Sequence, residues 1–279
     1  MEIPKEDFRK IQMIMLEMLV EFDRICNRHN IVYSLDGGTL LGAIRHKGFI
    51  PWDPDVDVIM HSNEYKKFKK ACGEDLDTRR FFLQDHELDP YYRWGYSRLR
   101  RIGTEFIRAG HEHMKYRTGI FIDIMIVDNV PDGPIMRKFH NAFCYCIRKL
   151  LWSEAGQVLH PKWYLRLWYK LASYIPTNWL FRARELIANS CNAMETDLIR
   201  RMTGGYPSRC KYGTPKSFYD NRIQVEFEGY SFWGFSQYDR YLRLVYGEYM
   251  ELPPPGERIP HIPCSNYRLV EPELVGRNK

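Results

Sequence analysis

Trp52-Asp53-Pro54-Asp55-Val56-Asp57-Val58 sets three carboxylates at alternate positions and leads into an apolar run ending at Met60. If this is the start of a strand, alternation turns Asp53, Asp55 and Asp57 to one face. Like charges that close repel, and each holds its proton more tightly unless a cation sits among them. Oxygen-only donors suit Mg²⁺ or Mn²⁺, which commonly join one or two carboxylates to substrate phosphates. Two plainer readings stand beside that one: a solvated acidic sheet edge, which Pro54 suits, and an acidic turn.

Moving outward, residues 31–35 read as a strand, Gly37-Gly38-Thr39 as a turn and residues 40–45 as a helix. Glycines there let backbone N–H groups and the Thr39 hydroxyl approach a phosphate at a helix start, though most Gly-Gly turns are only turns. Upstream, Phe8, Ile11, Met15, Met18, Leu19, Phe22 and Ile25 recur at three- and four-residue steps, which predicts an amphipathic helix over 7–29. Downstream, a helix is expected over 63–72 and strands over 96–100 and 120–127. Asp123 interrupts the last and most apolar of these. An unpaired carboxylate inside such a strand costs several kcal/mol, roughly, so it needs a cation, strong donors or a core Arg. Asp128, nearer the strand end, reads as a turn residue.

From Pro131 the character changes. Residues 137–184 carry nine Lys/Arg against one acid, Glu154, together with eleven aromatics and four of the seven tryptophans. The whole chain is only +6, so the remainder is slightly acidic and the basic character is local. Two or three helices are expected there, with breaks near 156–161 and at Pro176. β-like sequence returns at 223–227 with a turn at Gly229, and a helix over 237–246 precedes a Pro-rich tail. At 279 residues, 44% hydrophobic and 27% charged, the chain is globular rather than disordered or fibrous, and large enough for a core without disulfides. Seven scattered cysteines with no Cys-x-x-Cys read as reduced, mostly buried thiols. No apolar stretch suits a signal peptide or a span, and the expectation is a cytoplasmic protein at the inner membrane face.

A glycine turn, then Asp-x-Asp on a strand, then a lone Asp on a later strand is the arrangement of the nucleotidyltransferase superfamily. The run Gly38-Thr39-Leu40-Leu41-Gly42-Ala43-Ile44-Arg45-His46-Lys47-Gly48-Phe49-Ile50-Pro51-Trp52-Asp53 resembles the signature of the LicD family of phosphocholine transferases, to which fukutin and fukutin-related protein are similar. Gly119-Ile120-Phe121-Ile122-Asp123-Ile124, Tyr212-Gly213-Thr214-Pro215-Lys216, Phe227-Glu228-Gly229 and the run from Tyr246 to Pro254 resemble its later blocks, in order. The resemblance implies one α/β (α+β) domain over 1–279: a mixed sheet flanked by helices, with a metal and nucleotide core at 1–130. A basic, aromatic helical insertion would follow at 131–205, and 206–279 would complete the donor site.

It also implies transfer of a phospho-alcohol, CDP-choline being the favoured donor, to a glycan or teichoic-acid-type acceptor, with CMP leaving and no nucleic acid involved. Asp55 and Asp57 would be the principal ligands of Mg²⁺ or Mn²⁺, with Asp123 completing the site and Asp53 a ligand or neighbour. Gly37, Gly38 and Thr39 would face the donor phosphates. Arg98 would neutralise phosphate charge, a surface salt bridge being its alternative, and Lys216 and Arg258 would contact cytidine or diphosphate. Pro54 stands where the family usually has Asp and offers no oxygen ligand. Only His261 matches the family's terminal histidines, shifted by about one position. His46, His111 and His113 are other base candidates, each equally readable as a surface histidine.

Two competing functions remain on this reading: another nucleotidyltransferase that moves NMP, or a non-catalytic membrane- or nucleic-acid-binding module. Segment 137–184 motivates the second. Its Trp and Tyr mixed with Arg and Lys suit an interfacial helix lying on anionic lipid, and equally a packed insertion covering the active site; under the transferase reading the acceptor could be lipid-linked.

Overall fold

The computed structural model describes residues 3–260 and 264–274, so His261 lies outside the described residues. Helix α1, Lys5–Arg28, leads to strand β1, Ser34–Leu35, helix α2, Gly37–His46, strand β2, Asp57–His61, and helix α3, Ser62–Asp75. Strands β3, Phe81–Gln84, β4, Ser97–Arg101, β5, Glu105–Arg108, and β6, Phe121–Val130, follow. Four helices come next: α4, Pro134–Leu151, α5, Ser153–Leu159, α6, Trp163–Ala172, and α7, Thr177–Asn192. The chain continues with β7, Leu198–Arg200, β8, Thr214–Pro215, β9, Arg222–Phe227, β10, Tyr230–Phe235, α8, Tyr238–Tyr246, and β11, Cys264–Arg268.

The fold is a mixed α/β one. Its main sheet runs β1-β2-β6-β4-β3, with β7 added along the far half of β6 and β8 beyond it. β2 and β6 are parallel, with Asp57 beside Asp123, and β4 crosses β6 antiparallel with Arg98 beside Asp123. β6 is long enough to serve two sets of neighbours: residues 121–127 pair with β2 and β4, and 128–130 with β7. β9 and β10 form a separate hairpin whose turn residues, Glu228 and Gly229, both have positive φ, as a tight two-residue turn requires.

Helix α1 buries the expected stripe completely and more besides, for Ile14, Leu16 and Cys26 are also inside. Glu17 and Glu21 are buried with it. Glu17 is held by Arg101 at 3.1 Å and Glu21 by Arg24 at 2.8 Å, so the helix is central rather than half-exposed. All five residues of β4 are buried, three of them arginines. Arg101 answers Glu17, while Arg100 donates to Gln84 and to the Gly119 carbonyl, and burial beside Arg98 lowers its pKa to about 9. All seven cysteines are free and six are buried, Cys146 alone being exposed.

Several expectations change. The insertion holds four helices, since α4 and α5 are divided only at Trp152. Asp128 is inside β6, not in a turn; it is fully buried opposite Arg200 and accepts a hydrogen bond from Asn192 at 2.8 Å. The strand expected over 31–35 shrinks to two residues.

Candidate active site

Strand β2 begins at Asp57, so Asp53 and Asp55 do not share its alternation; they lie in the loop before it. Pro54 has no N–H for a ladder, and the Asp55 N–H instead donates to the Asp53 carboxylate at 3.3 Å. The loop is nevertheless pinned. Gln12 donates to the Asp53 carbonyl at 3.1 Å, and the Asp123 N–H bonds the Val56 carbonyl at 2.9 Å. Gly42 has backbone where a Cβ would sit, 2.5 Å from the Gly48 carbonyl, which lets α2 turn back on itself toward the acidic loop.

These constraints make the carboxylates electrostatic neighbours at the head of β2 and β6. Asp123 is the one residue of β6 left partly open, and Asp57 is likewise only partly buried at the head of β2. Asp53 is half-buried, and Asp55 reaches solvent while protein surrounds it on its other sides. Burial, then repulsion from Asp55, pushes Asp53 up to about 7. Burial and Asp123 raise Asp55, and the same causes hold Asp57 well above the usual carboxylate range. Arg108 of β5 and Arg98 oppose the rise at Asp55.

Helix α2 starts against this group. Gly37 has φ +52°, and a Cβ there would come within 3.5 Å of Asp57 Oδ2 and the Tyr246 hydroxyl. A Cβ on Gly38 would lie 2.4 Å from Asp53 Oδ2, so the glycine is what allows the carboxylate to approach the helix start. Gly37-Gly38-Thr39 is therefore the first turn of α2 rather than a turn before it. Thr39 is buried, and its oxygen accepts the Asp57 N–H at 2.8 Å, fixing the strand to the helix.

Arg98 is 1% exposed and donates to Asp123 Oδ1 at 2.7 Å, with its guanidinium 3.8 Å from the Phe121 ring centre and Tyr96 Oη at 3.2 Å. The core ion pair considered for Asp123 is thus present, and Arg98 is no surface residue. Sequence reasoning missed a second charged group. Asp36, immediately before Gly37, is fully buried, takes the Tyr241 hydroxyl's hydrogen bond and faces Arg201 at 3.1 Å. Asp36 was visible as the acid next to the glycines; Arg201 and Tyr241 lie in distant segments with no motif to flag them.

Other expected residues part company. Lys216 lines a cavity of about 170 Å³ with His61, Glu64 and Arg222. His61 ends β2, four residues from Asp57, about 13 Å at strand rise, so Lys216 does not join the carboxylates. Arg258 donates to the Pro253 carbonyl at 2.7 Å and lines a cleft of about 620 Å³ with Phe8, Pro51 and Trp52, beside the acidic loop. His46 meets the Trp52 ring edge-on. His111 bonds Tyr116 at 3.0 Å and is lowered to about 4 by burial and Arg108, while His113 bonds the Glu154 carbonyl. On the other flank, Tyr96 opens into a cavity of about 340 Å³ lined by Trp94, Arg148, Lys149 and Trp152.

The donor set fits a hard divalent cation: aspartate oxygens, unfavourable together, in an opening lined by glycine. They are not drawn tight. Among the described residues, the trio with ligand atoms within 4.8 Å of one another is His86, Glu87 and Glu185, where Lys69 already neutralises Glu87 at 2.6 Å.

Residues 30–124, which include all four aspartates, Gly37, Gly38, Thr39 and Arg98, match the family described as LicD/FKTN/FKRP, nucleotidyltransferase domain. The chain is 31% identical over 266 residues to the lipopolysaccharide cholinephosphotransferase LicD of Haemophilus influenzae, covering 92% of this chain and 96% of that one. It is 35% identical over 69 residues to the ribitol 5-phosphate transferase FKRP of mouse and of human, covering 23% of this chain and 14% of each.

Proposed function

The chain belongs to the LicD family, and from that premise we propose that it transfers a phospho-alcohol, phosphocholine foremost, from a CDP-activated donor to a sugar hydroxyl of a glycan. What supports this is the grouping of Asp53, Asp55, Asp57 and Asp123 as electrostatic neighbours near the start of α2, three of them held above the usual carboxylate range. The acceptor oxygen forms a bond to the phosphorus that bears the alcohol, the bond from that phosphorus to the bridging oxygen breaks, and CMP leaves. Such transfer asks mainly for positioning and charge stabilisation.

Asp55 and Asp57 would hold Mg²⁺ or Mn²⁺, with Asp123 and Asp53 beside them; bound there, the ion supplies positive charge to the diphosphate and the leaving group. The backbone at Gly37 and Gly38 offers helix-start N–H groups to phosphate oxygens without a Cβ in the way. Arg98 holds the Asp123 carboxylate in place. An aspartate of the set takes the acceptor hydroxyl's proton. The cleft that Trp52 lines with Arg258, next in sequence to the acidic loop, and the cavity that Tyr96 lines would receive donor and acceptor.

The test is CMP release, with Mg²⁺ and a lipopolysaccharide or teichoic-acid acceptor, from CDP-choline, CDP-ribitol, CDP-glycerol and CDP-ethanolamine in parallel. Release from one donor is expected, lost on Asp55→Ala or Asp57→Ala. If no donor yields CMP, or neither substitution slows release, the reading fails; pyrophosphate release from CTP would favour NMP transfer instead.

A further inference from the structure

We propose that α6 and the turn following it form a membrane-binding platform that lies in the interface of an anionic phospholipid surface. Helix α6 is amphipathic with its apolar side outward. Leu165, Tyr169 and Ala172, at steps of four and three, face the protein, and Tyr169 packs edge-on against Trp152 at 5.1 Å. On the other side Trp163, Leu167, Trp168 and Leu171 are exposed, Trp163 by 75% and Leu171 by 63%. At helical pitch these four span an arc of about 140°. Tyr174 after the helix and Trp179 early in α7 are exposed as well, by 75% and 69%. Isolated exposed apolar residues are ordinary, but a contiguous face this rich in aromatics is not.

The basic residues say what covers it. Arg166 and Lys170 project along one border of the arc and Lys162 stands at the helix start, all exposed. Arg166 gives one N–H to the His160 carbonyl and leaves the rest of its guanidinium free for solvent-side contacts. Trp and Tyr rings flanked by Lys and Arg are what a helix needs to lie at headgroup depth, apolar side in the acyl boundary and cations on lipid phosphates. A second copy is a poor occupant, because apposed platforms would set one strongly basic segment against another. The platform is also continuous with the site: Tyr169 packs on Trp152, which lines the cavity that Tyr96 shares. If the transferase reading holds, a lipid-linked acceptor would reach the carboxylates from this side.

Vesicle flotation with the full chain tests the platform without reading catalysis, so it succeeds or fails apart from the transferase assay. The chain is expected to float with vesicles containing phosphatidylglycerol, far less with phosphatidylcholine alone, and less at high salt. Leu167→Ser/Leu171→Ser should lower partitioning by more than about tenfold. Lys162→Glu/Lys170→Glu should do the same only for anionic vesicles, at roughly fivefold or more per charge. Circular dichroism should show both variants folded, as expected for outward-facing positions. Wild type left at the bottom of the gradient, or flotation unchanged by both variants, overturns the proposal. So does a wild-type dimer that Leu167→Ser/Leu171→Ser converts to monomer.

Discussion

At the head of β2 and β6 the chain keeps Asp36 and Arg98 out of water, while along α6 it holds Trp163 and Leu171 in it. Both arrangements cost free energy in isolation, and they are compensated differently. The buried charges have specific partners, Arg201 for Asp36 and Asp123 for Arg98, each placed by a separate element. What stays uncompensated there is concentrated in a few atoms, the carboxylates of Asp53, Asp55 and Asp57. The uncompensated part of α6 is spread over area, non-directional, and needs no partner of exact geometry. The polar stress registers as proton affinity and the apolar exposure as partitioning, so the two regions answer to different experiments.

The sharpest way to separate them is Asp57→Asn. Turnover should fall by about 10³-fold or more, while the thermal midpoint holds or rises, because the ionised carboxylate is unfavourable where it sits. A midpoint that drops together with activity would make Asp57 a structural residue and erase the contrast. Next is Arg98→Met, expected to cost about 3–5 kcal/mol in urea unfolding by leaving Asp123 unpaired, with much of that regained in Arg98→Met/Asp123→Asn. Unchanged stability would mean Arg98 is kept for phosphate rather than for Asp123.

A pH series probes the carboxylates more gently. Asp53 rises from 3.8 to about 7 on folding, so between those values the folded chain holds a proton that the unfolded chain releases. Its contribution is full below about pH 4 and is lost as pH rises through about 7. Relative to Asp53→Asn, the wild-type midpoint in EDTA should therefore fall across that range, with Mg²⁺ restoring it mainly at the upper end; a Mg²⁺ effect equal at both ends would argue against a cation among these carboxylates. The smallest effect is Leu171→Ser on α6, within about 0.5 kcal/mol in urea, against about 3–5 kcal/mol for Phe22→Ala in the core. A cost near 2 kcal/mol would show that the outer face of α6 is already packed in solution.

Much of the core was legible residue by residue. The α1 stripe and β6 are strongly periodic or strongly apolar, and the acidic motif lies in one contiguous stretch with its glycines. The strand over Phe81–Gln84 was not, since four residues with no alternation resemble any loop. Leu198–Arg200 and Glu105–Arg108 are shorter than the window in which periodicity can be recognised. In the site, the aspartates could be named but not their posture: Pro54 breaks the ladder, so three carboxylates that alternation would have aligned are gathered by a loop and one strand end.

From residues alone came the element types of the long segments, the basic aromatic insertion and the acids that carry chemistry, because helical period, apolar runs and motif spacing are local. Which charges neutralise each other was decided only in three dimensions. β4 pairs with β6 although β5 separates them in the chain, setting Arg98 on Asp123, and the segment after β7 brings Arg201 to Asp36. The same geometry carries Lys216 to the opposite end of β2 and turns the apolar side of α6 to the outside. Register and sheet order fix such neighbours, and neither leaves a trace in the spacing of residues along a single segment.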